Sequence, residues 1–146
     1  MDYQAFLRQL ESNTLPASEF THQAHLYAAW AYRRQYPAPE AAVRCARALS
    51  RYAMAQGAAE KYHHTLTMSL LSILYHRAQQ MPAMVQEWPV FLAQCDDVLH
   101  DARAVLFQYY SDVRLNQDVS RRAFVPPDRM PLPIACLSQQ ESEALC

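Results

Sequence analysis

The chain has 146 residues, of which 51% are hydrophobic and 18% are charged, and its formal net charge at pH 7 is −1. This length predicts one domain over 1–146, and this composition excludes a disordered chain. The near-neutral charge gives no support to nonspecific nucleic-acid binding, which needs many cations to neutralise phosphates. A single glycine excludes the glycine-rich phosphate loops of P-loop and Rossmann proteins.

The N-terminal segment and the cysteine spacing indicate a cytoplasmic protein. The segment MDYQAFLRQLESNT lacks the basic start and apolar centre of a secretory signal. No stretch reaches the roughly 18 to 20 apolar residues that a membrane-spanning helix needs. Four widely separated cysteines without a CxxC pair favour free thiols over disulfides or structural zinc: Cys45, Cys95, Cys136 and Cys146.

Good helix formers dominate the chain and alternating strand patterns are absent, so the sequence predicts an all-α fold. In chain order, the predicted helices cover residues 3–12, 22–35, 39–56, 60–80 and 89–110. Thr21 is the expected N-cap of the second helix, and Gly57 stands where a C-terminal cap follows the third. The last helix is expected to be continuous or broken near Asp96–Asp97.

After these helices, Ser111 is expected to cap a short helical piece that ends near Arg122. The proline-rich segment FVPPDRMPLPIACLS then predicts an extended tail. Because the connections are short, neighbouring helices should run antiparallel. We therefore expect an up-down four-helix bundle over 21–110, preceded by an N-terminal helix within 1–15 and followed by the short helix and tail of 111–146.

Alternating helix directions would bring two histidine pairs to one end of this bundle. His22 and His25 begin the first bundle helix, and His63 and His64 begin the third. His22 and His25 are i, i+3 neighbours, and His63 shares the helical phase of Leu66 on the core-facing side. Neutral imidazoles are common ligands of Zn, Fe, Cu and Ni. The sequence therefore predicts one divalent transition metal bound by His22, His25 and His63.

Other polar residues near that end are candidates for catalysis or substrate binding. If the tail crosses it, arginines of the tail could cover the cavity and favour a carboxylate or phosphate on the ligand. The expected proton-transfer or orienting groups are Tyr62, His64, Tyr109 and Tyr110. The expected substrate-binding groups are Thr67, Arg114 and Arg122.

The segments FTHQAHL, KYHHTLT and YYSDVRL…RRAFVPPDRMPLP resemble those of a set of small uncharacterised bacterial all-helical proteins. The resemblance covers about residues 20–133. It implies that the histidine pair, the Tyr-His segment and the proline tail belong together, and it implies no reaction, cofactor or partner. His64 is a departure, because the resemblance implies an acidic residue there.

Three functions are consistent with the sequence. The first is a small metal-dependent enzyme, hydrolytic or oxidative, that acts on a small molecule without binding nucleic acid or membrane. The second is a non-catalytic module that binds a small ligand or a protein, in which the histidines form hydrogen bonds. The third is a structural subunit, and the 9 Tyr, 5 Phe and 2 Trp would permit a homodimer.

Overall fold

The computed structural model describes residues 2–133, and this part of the chain is helical and contains no strand. The predicted all-α class is therefore confirmed. Two 3-10 turns, Ala17–Glu19 and Ala59–Lys61, lie between the longer helices. The α-helices are α1 (Tyr3–Glu11), α2 (His22–Gln35), α3 (Ala38–Ala55), α4 (His64–Gln80), α5 (Ala83–Gln86), α6 (Trp88–Gln94), α7 (Asp96–Leu106), α8 (Asp112–Leu115) and α9 (Asp118–Arg122).

The bounds of α2 and α3 follow the capping residues in the sequence. The Oγ1 of Thr21 accepts a hydrogen bond from the Ala24 N–H at 3.2 Å, which confirms the predicted N-cap of α2. Pro39 lies in the first turn of α3, where its missing N–H costs no helical hydrogen bond. After α3, Gly57 adopts a φ of +70°, a left-handed conformation that glycine tolerates without strain.

The helix predicted over 60–80 is shorter in the structure, because His63 acts as the N-cap of α4. Its backbone is extended, and its Nδ1 accepts a hydrogen bond from the Leu66 N–H at 3.0 Å. The prediction that His63 lies on a helical stripe was therefore wrong, since it precedes the first helical residue. His63 is still buried, with 5% of its surface exposed.

The segment predicted as one helix or two over 89–110 is divided at Cys95, which separates α6 from α7. This boundary lies next to the expected break at Asp96–Asp97. Inside α7, Asp101 leaves helical geometry, with φ −156° and ψ 82°, and its carboxylate accepts from the Ala104 N–H at 3.1 Å. The fourth helix expected for a simple bundle is therefore replaced by two shorter helices.

The core lies where α2, α3 and α4 pack in succession, with α1 against α2 and α3, and α7 against α2 and α4. Fully buried alanines on α2 and α3 let these helices approach closely: Ala28, Ala31, Ala41 and Ala42. Of the cysteines, Cys45 and Cys95 are free and buried. Within residues 2–133, no helix combines the length and apolar character needed to cross a membrane.

The C-terminal segment is attached to the helices by hydrogen bonds. Ser111 caps α8 by accepting from the Arg114 N–H at 3.2 Å, as the sequence predicts. The single short helix expected to end near Arg122 is divided into α8 and α9. Residues 123–133 form no helix or strand, and Thr65 on α4 binds them twice. Its Oγ1 donates to the Ala123 carbonyl oxygen at 2.8 Å and accepts from the Val125 N–H at 3.1 Å. The rest of the expected tail, with Cys136 and Cys146, lies outside the described residues.

Candidate functional site

A cavity of about 240 Å³ lies between α2, α3, α4 and α7, and we call it the histidine pocket. Three polar side chains line it, namely His22 and His25 at the start of α2 and Thr67 in the first turn of α4. The sequence predicted that the first turns of these two helices would meet. The remaining lining is apolar apart from the thiol of Cys45: Leu26, Ala29, Leu49, Leu66, Leu70, Leu71, Leu74, Val98 and Ala102.

The hydrogen bond formed by His25 fixes the position of its proton. Its Nδ1 lies 2.7 Å from the carbonyl oxygen of Thr21. A carbonyl oxygen can only accept, so Nδ1 carries the hydrogen and Nε2 of the neutral ring keeps a lone pair. Within residues 2–133, Nε2 of His25 has no hydrogen-bond partner. The Phe20 ring packs against the imidazole, with 4.2 Å between the ring centroids, and helps to hold its orientation.

Desolvation by the surrounding protein lowers the pKa of His25 from its ordinary value of 6.5. The hydrogen bond to Thr21 opposes this shift, and a positive charge on His22, whose ring centroid lies 6.4 Å away, would add to it. Part of the His25 side chain remains exposed, so the desolvation is incomplete. The shift nevertheless favours a neutral ring at neutral pH, which can accept a hydrogen bond.

His63 does not line this pocket, and both of its ring nitrogens are engaged. Its Nε2–H donates to the Leu115 carbonyl oxygen at 2.7 Å, while Nδ1 accepts from the Leu66 N–H. A metal ligand needs a free lone pair on one nitrogen. Among residues 2–133, no group of three or more His, Cys, Asp or Glu side chains is placed to hold a metal ion. The geometry therefore does not assemble the predicted three-histidine set.

Tyr62, His64 and Arg122 line a second cleft, between α3, α4 and α9. The Oη of Tyr62 lies 2.7 Å from Nδ1 of His64, so these two predicted proton-transfer groups are hydrogen-bonded to each other. Arg122 is exposed and forms an ion pair with Asp118 on the same helix. None of the three lines the histidine pocket, which separates them from His22 and His25.

Tyr110 and Arg114 bind the C-terminal segment instead of a pocket. The Oη of Tyr110 donates to the Val125 carbonyl oxygen at 2.6 Å and accepts from the Ser69 hydroxyl at 3.1 Å. Nε of Arg114 donates to the Pro126 carbonyl oxygen at 2.8 Å. Tyr109 is half-buried and lines neither cavity. These contacts give Tyr110 and Arg114 structural roles.

Thr67 lies beside His22 and His25 in the pocket, whereas the pocket walls from α3 and α7 were not expected from the sequence. Thr67 Oγ1 donates to the His63 carbonyl oxygen at 2.8 Å, so its oxygen is left to a ligand as an acceptor. Cys45 also lines the pocket, and burial raises the pKa of its thiol to about 12. The thiol is therefore protonated and unreactive at neutral pH.

No protein-family model matches the chain, and neither the curated proteins nor the solved structures include a significant match.

Proposed function

We propose that this protein is a non-catalytic module that binds a small, mainly apolar molecule in the histidine pocket. The proposed ligand carries one hydrogen-bond donor, which meets His25. The observation that carries the proposal is an apolar cavity whose exposed end holds a histidine with its Nδ1 proton committed to Thr21. Small-molecule sites commonly combine an apolar lining with a few polar groups that fix orientation.

The volume of the pocket limits the size of the ligand. An apolar cavity of about 150 Å³ accommodates benzene, so 240 Å³ corresponds by proportion to about ten non-hydrogen atoms. Leucine, valine and alanine side chains surround most of this space, and they offer no partner for a charged or strongly polar group. A one- or two-ring aromatic body or a short aliphatic chain would suit this lining.

The polar groups of the pocket determine which chemical group the ligand should place next to them. Neutral His25 presents a lone pair on Nε2, and Thr67 presents a hydroxyl oxygen whose hydrogen is already donated to the His63 carbonyl. Both groups accept hydrogen bonds. They favour a ligand with an N–H or O–H over one with a carbonyl or ether oxygen at the same position.

Indole and benzofuran test this proposal because they have nearly the same shape and differ in one N–H. We expect isothermal titration of the full chain to show indole binding about fivefold more tightly, the effect of one net hydrogen bond. His25→Ala should reduce this preference while the protein remains folded by circular dichroism. The exposed His100 offers a matched control, since His100→Ala should leave the preference unchanged.

Two results would contradict the proposal. One is the absence of binding by both compounds in the wild-type chain. The other is an indole preference that is undiminished in His25→Ala, because the ligand N–H would then not meet His25.

A metal-dependent enzyme is the competing function, and the i, i+3 spacing of His22 and His25 is the observation that favours it. Their two imidazoles could provide part of a zinc site, with other ligands still required. This function predicts that the purified protein contains metal and that His22→Ala and His25→Ala lose it. The binding module predicts that indole affinity is unchanged by a chelator and that zinc does not compete with indole.

A further inference from the structure

The second cleft carries an arginine cluster that the proposed function does not use. It has a volume of about 920 Å³ and lies between α3, the 3-10 turn Ala59–Lys61, the start of α4, and α9. Arg47 and Arg51 line it from α3, and Arg121 lines it from α9. We call this space the arginine cleft.

Helix α3 separates the two cavities. It directs Cys45 and Leu49 into the histidine pocket, whereas Arg47 and Arg51 line the arginine cleft and also a smaller cavity shared with Arg44 and Glu11. Because Arg47 and Arg51 are i, i+4 neighbours, their guanidinium groups lie on one face of α3. A ligand in the arginine cleft would therefore bind independently of the histidine pocket.

The three arginines have no acidic partner within residues 2–133, since no ion pair or side-chain hydrogen bond involves them. The cleft also contains two carboxylates, and one of them, Asp118, is paired with Arg122. Glu60 is the other acid in the lining, so the cleft has a net positive charge. Three guanidinium groups from two helices, without an acidic partner in the described part of the chain, are suited to binding an anion.

The rest of the lining is suited to an apolar or aromatic body. Met54 and Met68 provide polarizable apolar surface, and Met54 is 64% exposed. The hydrogen-bonded Tyr62 and His64 add two rings to the lining of the cleft. An inorganic anion alone would leave most of this volume unused.

We propose that the arginine cleft binds a soluble phosphate monoester with an apolar or aromatic body. A phosphate dianion provides charge and oxygen acceptors for several guanidinium groups at once, whereas a carboxylate carries one charge and two oxygens. Arg47 and Arg51 hold the phosphate from one side and Arg121 from the other. Met54, Met68 and the Tyr62–His64 pair contact the body of the ligand.

Phenyl phosphate is a suitable probe, with benzoate as its carboxylate counterpart, in titrations of the full chain. We expect phenyl phosphate to bind at least about tenfold more tightly than benzoate. Arg47→Gln/Arg51→Gln should weaken phenyl phosphate binding by at least about tenfold, and Arg121→Gln should also weaken it. The matched control is Arg8→Gln/Arg34→Gln, which removes the same charge from exposed helical positions outside the cleft and should leave affinity unchanged.

A substitution with the opposite effect strengthens the test. Asp118→Asn removes a negative charge from the cleft and frees Arg122, so phenyl phosphate should bind more tightly. We expect the circular dichroism spectrum and the indole affinity to be unchanged in all of these variants. A change in phenyl phosphate affinity can then be assigned to the cleft and not to unfolding. Indole binding reports on the histidine pocket alone, so either proposal can fail without the other.

The proposal is overturned if wild-type protein does not bind phenyl phosphate, if benzoate binds equally well, or if the control pair loses as much affinity as the cleft pair. Sedimentation with vesicles containing phosphatidic acid distinguishes a soluble phosphate from a lipid headgroup. We expect no vesicle binding, and binding to vesicles without binding to phenyl phosphate would overturn the assignment to a soluble ligand.

Discussion

The imidazole of His63 connects the start of α4 to the end of α8, because its Nε2–H donates to the Leu115 carbonyl oxygen at 2.7 Å. The two residues are separated by 52 positions in the chain. The same ring also caps α4 through the Leu66 N–H. His63 thus satisfies a backbone donor and a backbone acceptor that would otherwise be buried without partners.

This arrangement predicts that His63→Ala reduces the free energy of unfolding by about 2 kcal/mol, from the lost cap and the lost hydrogen bond. His63→Asn should restore part of this loss, because asparagine is a good N-cap but is too short to reach Leu115. Urea unfolding followed by circular dichroism measures both variants. His100→Ala, at an exposed position, is the control, and an equal loss in that variant would contradict the role given to His63.

Stability should also depend on pH through His63 and His25. Desolvation lowers the pKa of both rings in the fold from the ordinary value of 6.5. The unfolded chain therefore binds more protons than the folded chain just below pH 6.5, and the free energy of unfolding should fall as the pH decreases through that range. Urea midpoints measured between about pH 7.5 and 5 test this, and His63→Asn should reduce the slope. A midpoint that is constant across this range would contradict the prediction.

The hydroxyl of Tyr110 should hold the C-terminal segment in place. Tyr110→Phe removes the bond to the Val125 carbonyl and the acceptor of the Ser69 hydroxyl, at an expected cost of about 1 to 2 kcal/mol. Limited proteolysis within residues 123–133 should become faster in this variant. Tyr109→Phe is the matched control, because no described contact involves its hydroxyl. Equal proteolysis of both variants would show that Tyr110 does not anchor the segment.

Filling the histidine pocket should block ligand binding without unfolding the protein. Ala102 lines the pocket and is half-buried on α7, so Ala102→Leu would place apolar atoms in the cavity. We expect indole affinity to decrease by at least about tenfold while the urea midpoint is unchanged or increased. Ala104→Leu adds the same group at an exposed position of α7 and should leave indole binding intact. Unchanged affinity in Ala102→Leu would place the ligand outside this pocket.

Local signals made much of the fold predictable. The N-cap at Thr21, the left-handed Gly57 and the cap at Ser111 each depend on a few neighbouring residues, and these boundaries agree with the structure. The break at His63 was missed because histidine is an uncommon N-cap and the helical periodicity continues through it. The kink at Asp101 was also not predicted. It has a local cap, but the sequence there contains no proline or glycine that would indicate a break in the helix.

The candidate site was only partly predictable, because part of it depends on contacts between distant segments of the chain. The pairing of His22 with His25 and the proximity of Thr67 followed from helix spacing and chain direction. The sequence did not show that His63 lies apart from that pair. The ring of His63 is hydrogen-bonded to the backbone carbonyl of Leu115, which lies on a distant helix, and the sequence does not reveal this contact. Likewise, Arg122 was assigned to the histidine end, whereas the packing of α9 on α4 places it in the arginine cleft.

By itself, the sequence determined the helical class, the approximate bounds of α1, α2 and α3, and the i, i+3 spacing of His22 and His25, because these depend on residues within a few positions of one another. Only the tertiary structure decided which imidazole nitrogens are free, since a hydrogen bond to Thr21 or Leu115 consumes a lone pair or a proton that the sequence leaves unassigned. It also decided that α3 lines two separate cavities, the histidine pocket and the arginine cleft. The residues that face α3 in each cavity come from distant parts of the chain.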